Sequence, residues 1–124
     1  PYQNIYFNFI FEHKARNYFE IDYWGLGNVE ALAFLNKEID DEKINLKIAS
    51  FSPFEYSRLI LENSSLNKFS FIGTSEKDLK YIFTNYVFDK NPKYEKKYFI
   101  PKNYDKIFVL KKGNIIINEI YKKR

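Results

Sequence analysis

Residues 106–121 read KIFVLKKGNIIINEIY, and this stretch decides the fold class of a chain of 124 residues. Its two arms, Lys106–Leu110 and Ile115–Tyr121, are rich in β-branched and aromatic residues, which favour strands. Gly113 stands between the arms and can adopt the positive φ that a tight hairpin turn needs. The stretch therefore predicts an antiparallel hairpin that adds two strands to a sheet.

Upstream of the hairpin, residues 46–72 predict a parallel strand–helix–strand unit. Leu46–Ser50 and Phe69–Ile72 are short apolar runs that indicate buried strands. The letters SPFE at 52–55 are typical of a helix start, because the serine can cap the glutamate amide and proline suits the first helical position. This helix should run to about Glu62. Short loops between such elements favour a right-handed parallel crossover.

Another helix is predicted earlier in the chain, with Asn28 as its N-cap and its end near residues 40–41. Gly25 and Gly27 predict a turn just before it. Apolar residues recur there at a spacing of three or four and should form the buried face. They are Val29, Leu32, Ala33, Leu35 and Ile39.

The remaining segments complete one domain. Tyr81–Tyr86 is rich in β-formers and predicts the third strand. Residues 87–104 predict a long loop, and 122–124 a solvated tail. The sequence therefore predicts a single α/β domain over residues 1–124. Its mixed sheet of about five strands should combine a parallel strand–helix–strand core with the antiparallel hairpin, flanked by two main helices.

The bulk composition is that of one globular domain. Hydrophobic residues are 45% and charged residues 29% of the chain, which argues against disorder. Cysteine is absent, which excludes disulfides, thiolate metal sites and cysteine nucleophiles. Methionine is absent and the chain opens at Pro1, so we expect a piece of a longer protein. No run of about 20 apolar residues occurs, so this piece is not expected to span a membrane.

The net charge of +4 does not by itself indicate nucleic-acid binding. Phe, Ile, Lys, Asn and Tyr make up 69 of 124 residues, and all five have AT-rich codons, so the lysine content is attributed to genome composition. Acids interleave with lysines at 76–78, 89–90 and 95–97. No nucleic-acid-binding motif is present, and no nucleic-acid partner is expected.

Few residues offer the chemistry of a catalytic or metal centre. His13, the only histidine, is interpreted as a surface residue, and one histidine without cysteine argues against a zinc site. Glu20 and Asp22 alternate, so in an extended segment both carboxylates would face one side. That arrangement suits a cation site, acid–base work or the polar edge of a strand. The acids at 40–42 lack the spacing of a calcium loop.

The most unusual local string is Asp-Tyr-Trp-Gly at residues 22–25, which holds the only tryptophan. An aromatic ring beside carboxylates can hold a sugar by stacking and hydrogen bonding, although Trp24 could equally anchor the loop in the core. The letters GLG at 25–27 lack the third glycine of a dinucleotide-binding loop. No catalytic residue and no cofactor are predicted.

Two strings near the start of the chain carry a family resemblance. PYQNIYFN occupies residues 1–8 and FEIDYWGL residues 19–26. With the strands at 81–86 and 113–121, they resemble the C-terminal extracytoplasmic domain of bacterial polytopic membrane glycosyltransferases. This class is similar to dolichyl-phosphate-mannose protein mannosyltransferases. The chain departs from the family at 17–19, where Asn-Tyr-Phe replaces the expected Gly-Arg-Phe.

The resemblance implies a domain that is inactive alone, because the catalytic acids of the family lie in loops between membrane helices. The domain would lie on the periplasmic side of a bacterial inner membrane, tethered by membrane helices. Its partners would be the membrane-embedded part of the same protein and a polyprenyl-phosphate sugar or glycan acceptor. The residues implied to bind substrate are Arg16, Glu20, Asp22, Tyr23 and Trp24. Those implied at the membrane interface, in an arm over 1–11, are Tyr2, Tyr6, Phe7, Phe9 and Phe11.

Two other functions stay open on the residues alone. One is a stand-alone binding or interaction module at the cell surface. The other is a small soluble enzyme that uses Glu20 and Asp22, which predicts a pocket that holds both carboxylates together with His13.

Overall fold

A computed structural model describes residues 25–40, 44–48, 68–72, 79–85 and 100–124. The described residues form one helix and five strands: α1 (Asn28–Glu38), β1 (Ile44–Ile48), β2 (Phe69–Ile72), β3 (Tyr81–Thr84), β4 (Tyr104–Lys112) and β5 (Ile115–Lys123). A helix packed on a sheet agrees with the predicted α/β class. None of the helical segments described is long and apolar enough to cross a membrane.

The strands lie in one sheet in the order β2-β1-β3-β5-β4. β1 runs parallel to β2 and β3, whereas β5 runs antiparallel to β3 and β4. The predicted C-terminal hairpin is therefore confirmed as the β4–β5 pair. Its turn is the two residues Gly113 and Asn114, and Gly113 has the positive φ, 57°, that the sequence predicted.

Two irregularities interrupt the pairing of β4 and β5. Lys106 pairs with Tyr121 but Phe108 pairs with Ile120, so Ile107 is an extra residue in β4. Further along, the register shifts again, and Ile117 is an extra residue in β5. Each such β-bulge bends its strand locally and increases its twist.

Helix α1 covers one face of the sheet because its apolar residues recur every three or four positions. Ala31, Leu32 and Leu35 are buried, as is Asn28 at the start of the helix. Ala33, predicted in the apolar face, is exposed because it lies two residues from Ala31 and so points away from the sheet.

The prediction that Asn28 is the N-cap of this helix is wrong. Gly27 is the N-cap, without a side-chain capping bond, and Asn28 is the first helical residue. The helix ends at Glu38, before the predicted end, because Ile39 adopts an extended conformation. The Asn28 side chain is buried and does not cap the first amides of the helix.

Lys68 fixes the other end of the helix. Its ammonium group donates to the carbonyls of Asn36 and Ile39 at 3.2 and 2.6 Å. The last carbonyls of a helix commonly accept hydrogen bonds from outside the helix, and a cation suits the negative end of the helix dipole. Because Lys68 directly precedes β2, it joins the end of α1 to the edge of the sheet.

The main core lies between α1 and the sheet. Phe34 of the helix and Phe108 of β4 pack with ring centroids 4.7 Å apart. The buried members of this core are Ala31, Leu32, Leu35, Ile44, Phe69, Tyr81, Phe83 and Ile120. Burial of the leucine, isoleucine and phenylalanine side chains among them contributes roughly 1.5–3 kcal/mol each.

Several predicted boundaries move. The strand predicted from Leu46 begins at Ile44, and the strand predicted to end at Tyr86 ends at Thr84. Tyr104, assigned to the long loop, is instead buried at the start of β4, where its hydroxyl donates to the carbonyl of Leu79. The loop ends earlier because this side chain has a buried place on the sheet.

The tail predicted over 122–124 is not a free end. Lys122 and Lys123 belong to β5, and the Arg124 amide donates to the Asn103 carbonyl at 3.0 Å. The second predicted helix, over 52–62, lies outside the described residues, as does the arm over 1–11.

Candidate functional site

Every residue to which the sequence assigned a functional role lies outside the described residues. This holds for His13 and for the two sets taken from the family resemblance. The substrate set is Arg16, Glu20, Asp22, Tyr23 and Trp24. The interface set is Tyr2, Tyr6, Phe7, Phe9 and Phe11. Their mutual arrangement therefore stays a prediction, and the described structure begins one residue after Trp24.

The turn that follows Trp24 is held firmly on the sheet. Gly25 is buried with φ of 66°, and its carbonyl accepts the Asn28 amide at 3.0 Å. A positive φ of this size is costly for residues other than glycine. Gly25, the last residue of the Asp-Tyr-Trp-Gly string, is thus a buried part of the fold.

Gly27 makes this attachment possible by its lack of a side chain. A Cβ at this position would lie 2.9 Å from Asn118 Nδ2, Ile117 Cγ2 and Leu110 Cδ2. The backbone at the start of α1 therefore approaches the β5 bulge more closely than any other residue would permit. The two glycines that the sequence predicted as a turn serve two needs, a positive φ at Gly25 and a close approach at Gly27.

Asn118 lies in this contact and is unusual for a buried residue. It is 0% exposed, and among the described residues neither its Oδ1 nor its Nδ2 finds a hydrogen-bond partner. A buried polar group without a partner costs about 1–3 kcal/mol. No feature of the sequence marks Asn118, since asparagine is common in this chain.

On the sheet face opposite α1, a carboxylate is buried between two donors. Glu119 of β5 has a side chain 3% exposed. Its Oε1 lies 2.5 Å from Lys106 Nζ, and its Oε2 accepts the Tyr121 hydroxyl at 2.8 Å. Cross-strand pairing explains the cluster, because Lys106 and Tyr121 are register partners and Glu119 lies two residues from Tyr121 on the same face.

The charges in this cluster compensate each other. The hydrogen bond to Glu119 raises the pKa of Lys106 above its ordinary value, and partial burial of the ammonium group opposes the rise. Lys106 Nζ also lies 5.8 Å from the centre of the Tyr121 ring, within the range of cation–π attraction. At neutral pH the cluster therefore contains a charged lysine whose ammonium group compensates the charge of the Glu119 carboxylate.

Thr84 of β3 extends the polar cluster across the sheet. It is the register partner of Glu119, so the two side chains share a face. Thr84 is 0% exposed, and its hydroxyl has no hydrogen-bond partner among the described residues. The face therefore combines a buried hydroxyl and a buried carboxylate within a single register pair.

The arrangement favours binding or structural support over proton transfer. Glu119 is ion-paired with Lys106 through Oε1 and accepts the Tyr121 hydroxyl through Oε2, and its side chain is only 3% exposed, so a substrate would have to displace these contacts to reach the carboxylate. The described residues contain no group of three His, Cys, Asp or Glu side chains that could hold a metal ion. The sequence did not predict this cluster, because residues 117–120 of β5 are all buried and their burial does not alternate along the strand.

No family model, no curated protein and no solved structure matches the chain.

Proposed function

We propose that the chain is an extracytoplasmic accessory domain of an integral membrane glycosyltransferase that uses a polyprenyl-phosphate sugar donor. In this proposal the domain supports recognition of substrate or acceptor, and catalysis belongs to the membrane-embedded part of the same protein. The observation that carries it is the pair of strings at 1–8 and 19–26, which resemble that family in kind and in order.

The buried glycine turn supports the role of the second string. A recognition loop binds best when it is held in place before the ligand arrives. Gly25 is buried, Gly27 packs against the sheet, and the peptide bond before Gly25 leads directly to Trp24. In the proposal, Trp24 and Tyr23 stack on a sugar ring while Glu20 and Asp22 accept its hydroxyls. Arg16 binds the phosphate of the donor in place of the arginine that the family has within 17–19 and this chain lacks.

The complete architecture is part of the same proposal. β1 and β2 are parallel neighbours, and parallel neighbours need a crossover connection between them. Residues 49–67 supply that connection and contain the predicted helix over 52–62. We expect a mixed sheet of five strands flanked by two helices over residues 1–124.

The single tryptophan gives a direct test of recognition. The change in Trp24 emission during titration with a short-chain polyprenyl-phosphate sugar reports binding at this string, because the chain has no other tryptophan. Asp22→Asn should weaken the response. The matched control is Asp40→Asn, which makes the same change at an exposed residue outside the string and should leave the response intact.

The proposal would be abandoned if the emission of Trp24 did not respond and if Trp24→Ala left the sugar transfer of the full-length protein at its normal rate. A response to free sugars alone, without any transferase activity in the full-length protein, would favour the stand-alone binding module. Glycoside turnover by the isolated chain that Glu20→Gln abolishes would favour the small enzyme.

The location is testable because the chain lacks cysteine. Lys37→Cys places one thiol on α1 at a side chain that is 84% exposed. A membrane-impermeant maleimide should label this variant of the full-length protein in intact spheroplasts more strongly than it labels the full-length protein without the substitution. Labelling only after lysis would contradict an extracytoplasmic location.

A further inference from the structure

The positive charge of the chain is concentrated in its C-terminal hairpin. Residues 100–124 hold seven basic and two acidic residues, a net charge of +5. Residues 1–99 hold the other 13 basic and 14 acidic residues, a net charge of −1, which together gives the +4 of the whole chain. Acidic residues therefore balance the basic residues over the first 99 positions, but they do not do so in the hairpin.

Both acids of the hairpin are already neutralised. Arg124 binds Asp105 through two nitrogens, with Nη2 to Oδ1 at 2.8 Å and Nε to Oδ1 at 3.0 Å. Lys106 neutralises the buried Glu119. The excess positive charge therefore comes from the remaining lysines, which are Lys102, Lys111, Lys112, Lys122 and Lys123.

Two of these lysines lie at the exposed tip beside apolar side chains. Lys111 and Lys112 precede the turn and are exposed, and in the part of the chain that the structure describes neither makes an ion pair. Val109 is 38% exposed, and Leu110 is half-buried. Val109 and Lys111 lie two residues apart in β4 and share the face opposite α1.

This combination fits a lipid surface better than another polyanion. Lysines near an anionic bilayer are attracted to the headgroup phosphates, and an exposed apolar side chain beside them gains free energy at the boundary with the acyl chains. A nucleic acid would use the lysines but would gain little from Val109.

We propose that the hairpin over 100–124 lies with the face of Val109 and Lys111 against the headgroups of an anionic bilayer, with Lys111 at lipid phosphates and Val109 at the acyl boundary. Lys112 is on the other face of β4 and reaches the phosphates around the edge of the sheet, where β4 lies. This deepens the proposed function and rests on it, since that function places the domain beside a membrane. The hairpin then orients the sheet relative to the bilayer.

Co-sedimentation of the whole chain with vesicles tests this inference. Binding to vesicles that contain phosphatidylglycerol should exceed binding to pure phosphatidylcholine and should fall as salt rises. Each lysine near the surface contributes about fivefold in binding, so Lys111→Gln with Lys112→Gln should lower the partition coefficient about 25-fold. Val109→Ser should weaken binding at every salt concentration.

The matched control is Lys37→Gln, which removes one charge from an exposed position on α1 and should leave binding unchanged, whereas Lys111→Gln alone lowers it. Equal binding to neutral vesicles, an equal loss in the control, or binding to single-stranded RNA without vesicle binding would overturn the inference. Vesicle binding without a Trp24 response would count only against the proposed function. A Trp24 response in neutral detergent without preference for anionic vesicles would count only against this inference.

Discussion

The two faces of the sheet are buried by different means. On the α1 face, Phe83 and Ile120 pack against the helix in an apolar core. On the opposite face, Thr84 and Glu119 are equally buried but are polar, and Lys106 compensates the carboxylate. The first face depends on volume and shape, whereas the second combines a small apolar cluster around Ile82 and Tyr104 with a compensated charge pair. The faces should therefore respond differently to substitution and to pH.

The largest effect is expected on the apolar face. Phe83→Ala removes a side chain that is 0% exposed and leaves a cavity, which should lower the free energy of unfolding by about 3–5 kcal/mol. Val109→Ala, on an exposed side chain, is the control and should change it little. Urea denaturation of both variants measures the difference. A loss for Phe83→Ala no larger than that of the control would show that this face is not the core.

A smaller loss is expected when the pair on the polar face is broken. Lys106→Met leaves Glu119 buried without its cation and should lower the free energy of unfolding by about 2 kcal/mol, less than for a fully buried pair because Lys106 is 45% exposed. Adding Glu119→Gln should restore most of the loss. The control is Lys111→Met, which removes an exposed lysine without a partner carboxylate among the described residues.

The same pair predicts a dependence on pH. The pKa of Lys106 is raised in the folded state, so its stabilising effect is complete below its ordinary value of 10.5 and is lost as the pH rises through the raised pKa. The stability difference between the native chain and Lys106→Met should therefore shrink in strongly alkaline solution. A difference that stays constant there would show that packing, and not charge, accounts for the effect of the substitution.

An opposite sign is expected at Asn118, where a polar group intrudes into the apolar face. Asn118→Leu replaces an amide that lacks hydrogen-bond partners with an apolar group of similar size, and should raise the free energy of unfolding by about 1 kcal/mol. Thermal unfolding measures the change. Destabilisation by more than the same amount would show that the amide has a partner, such as a buried water, that the leucine displaces.

The smallest effect is expected at the exposed pair of Asp105 and Arg124. The hydrogen bonds to Arg124 lower the pKa of Asp105, so the contribution of the pair is present above the ordinary value of 3.8 and is lost as the pH falls through the lowered pKa. Because both side chains are exposed, Asp105→Asn should leave thermal stability at pH 7 nearly unchanged. A clear loss at pH 7 would place this pair among the contacts that hold the end of β5.

The sequence predicted the elements that are governed by local patterns. The hairpin was predictable because Gly113 separates two strand-forming arms, and β2 was predicted with its observed bounds. The N-cap of α1 was not predictable, because the burial of Asn28 results from its contact with the rest of the fold. The Lys106–Glu119 cluster was also missed, since it depends on the register between β4 and β5, which no single strand reveals.

The two bulges have a consequence for changes in chain length. Each strand contains one extra residue. The extra residue Ile107 shifts the register of β4 against β5 by one position, and the extra residue Ile117 shifts it back. The pairs next to the turn therefore have the same register as the pairs at the start of β4. Only the segment between the bulges, which includes Phe108 and Asn118, is displaced by one position. Deletion of either residue alone would carry that displacement to one end of the hairpin. Deletion of both would leave each end in its present register and realign the middle, so these positions should be gained or lost in evolution as a pair.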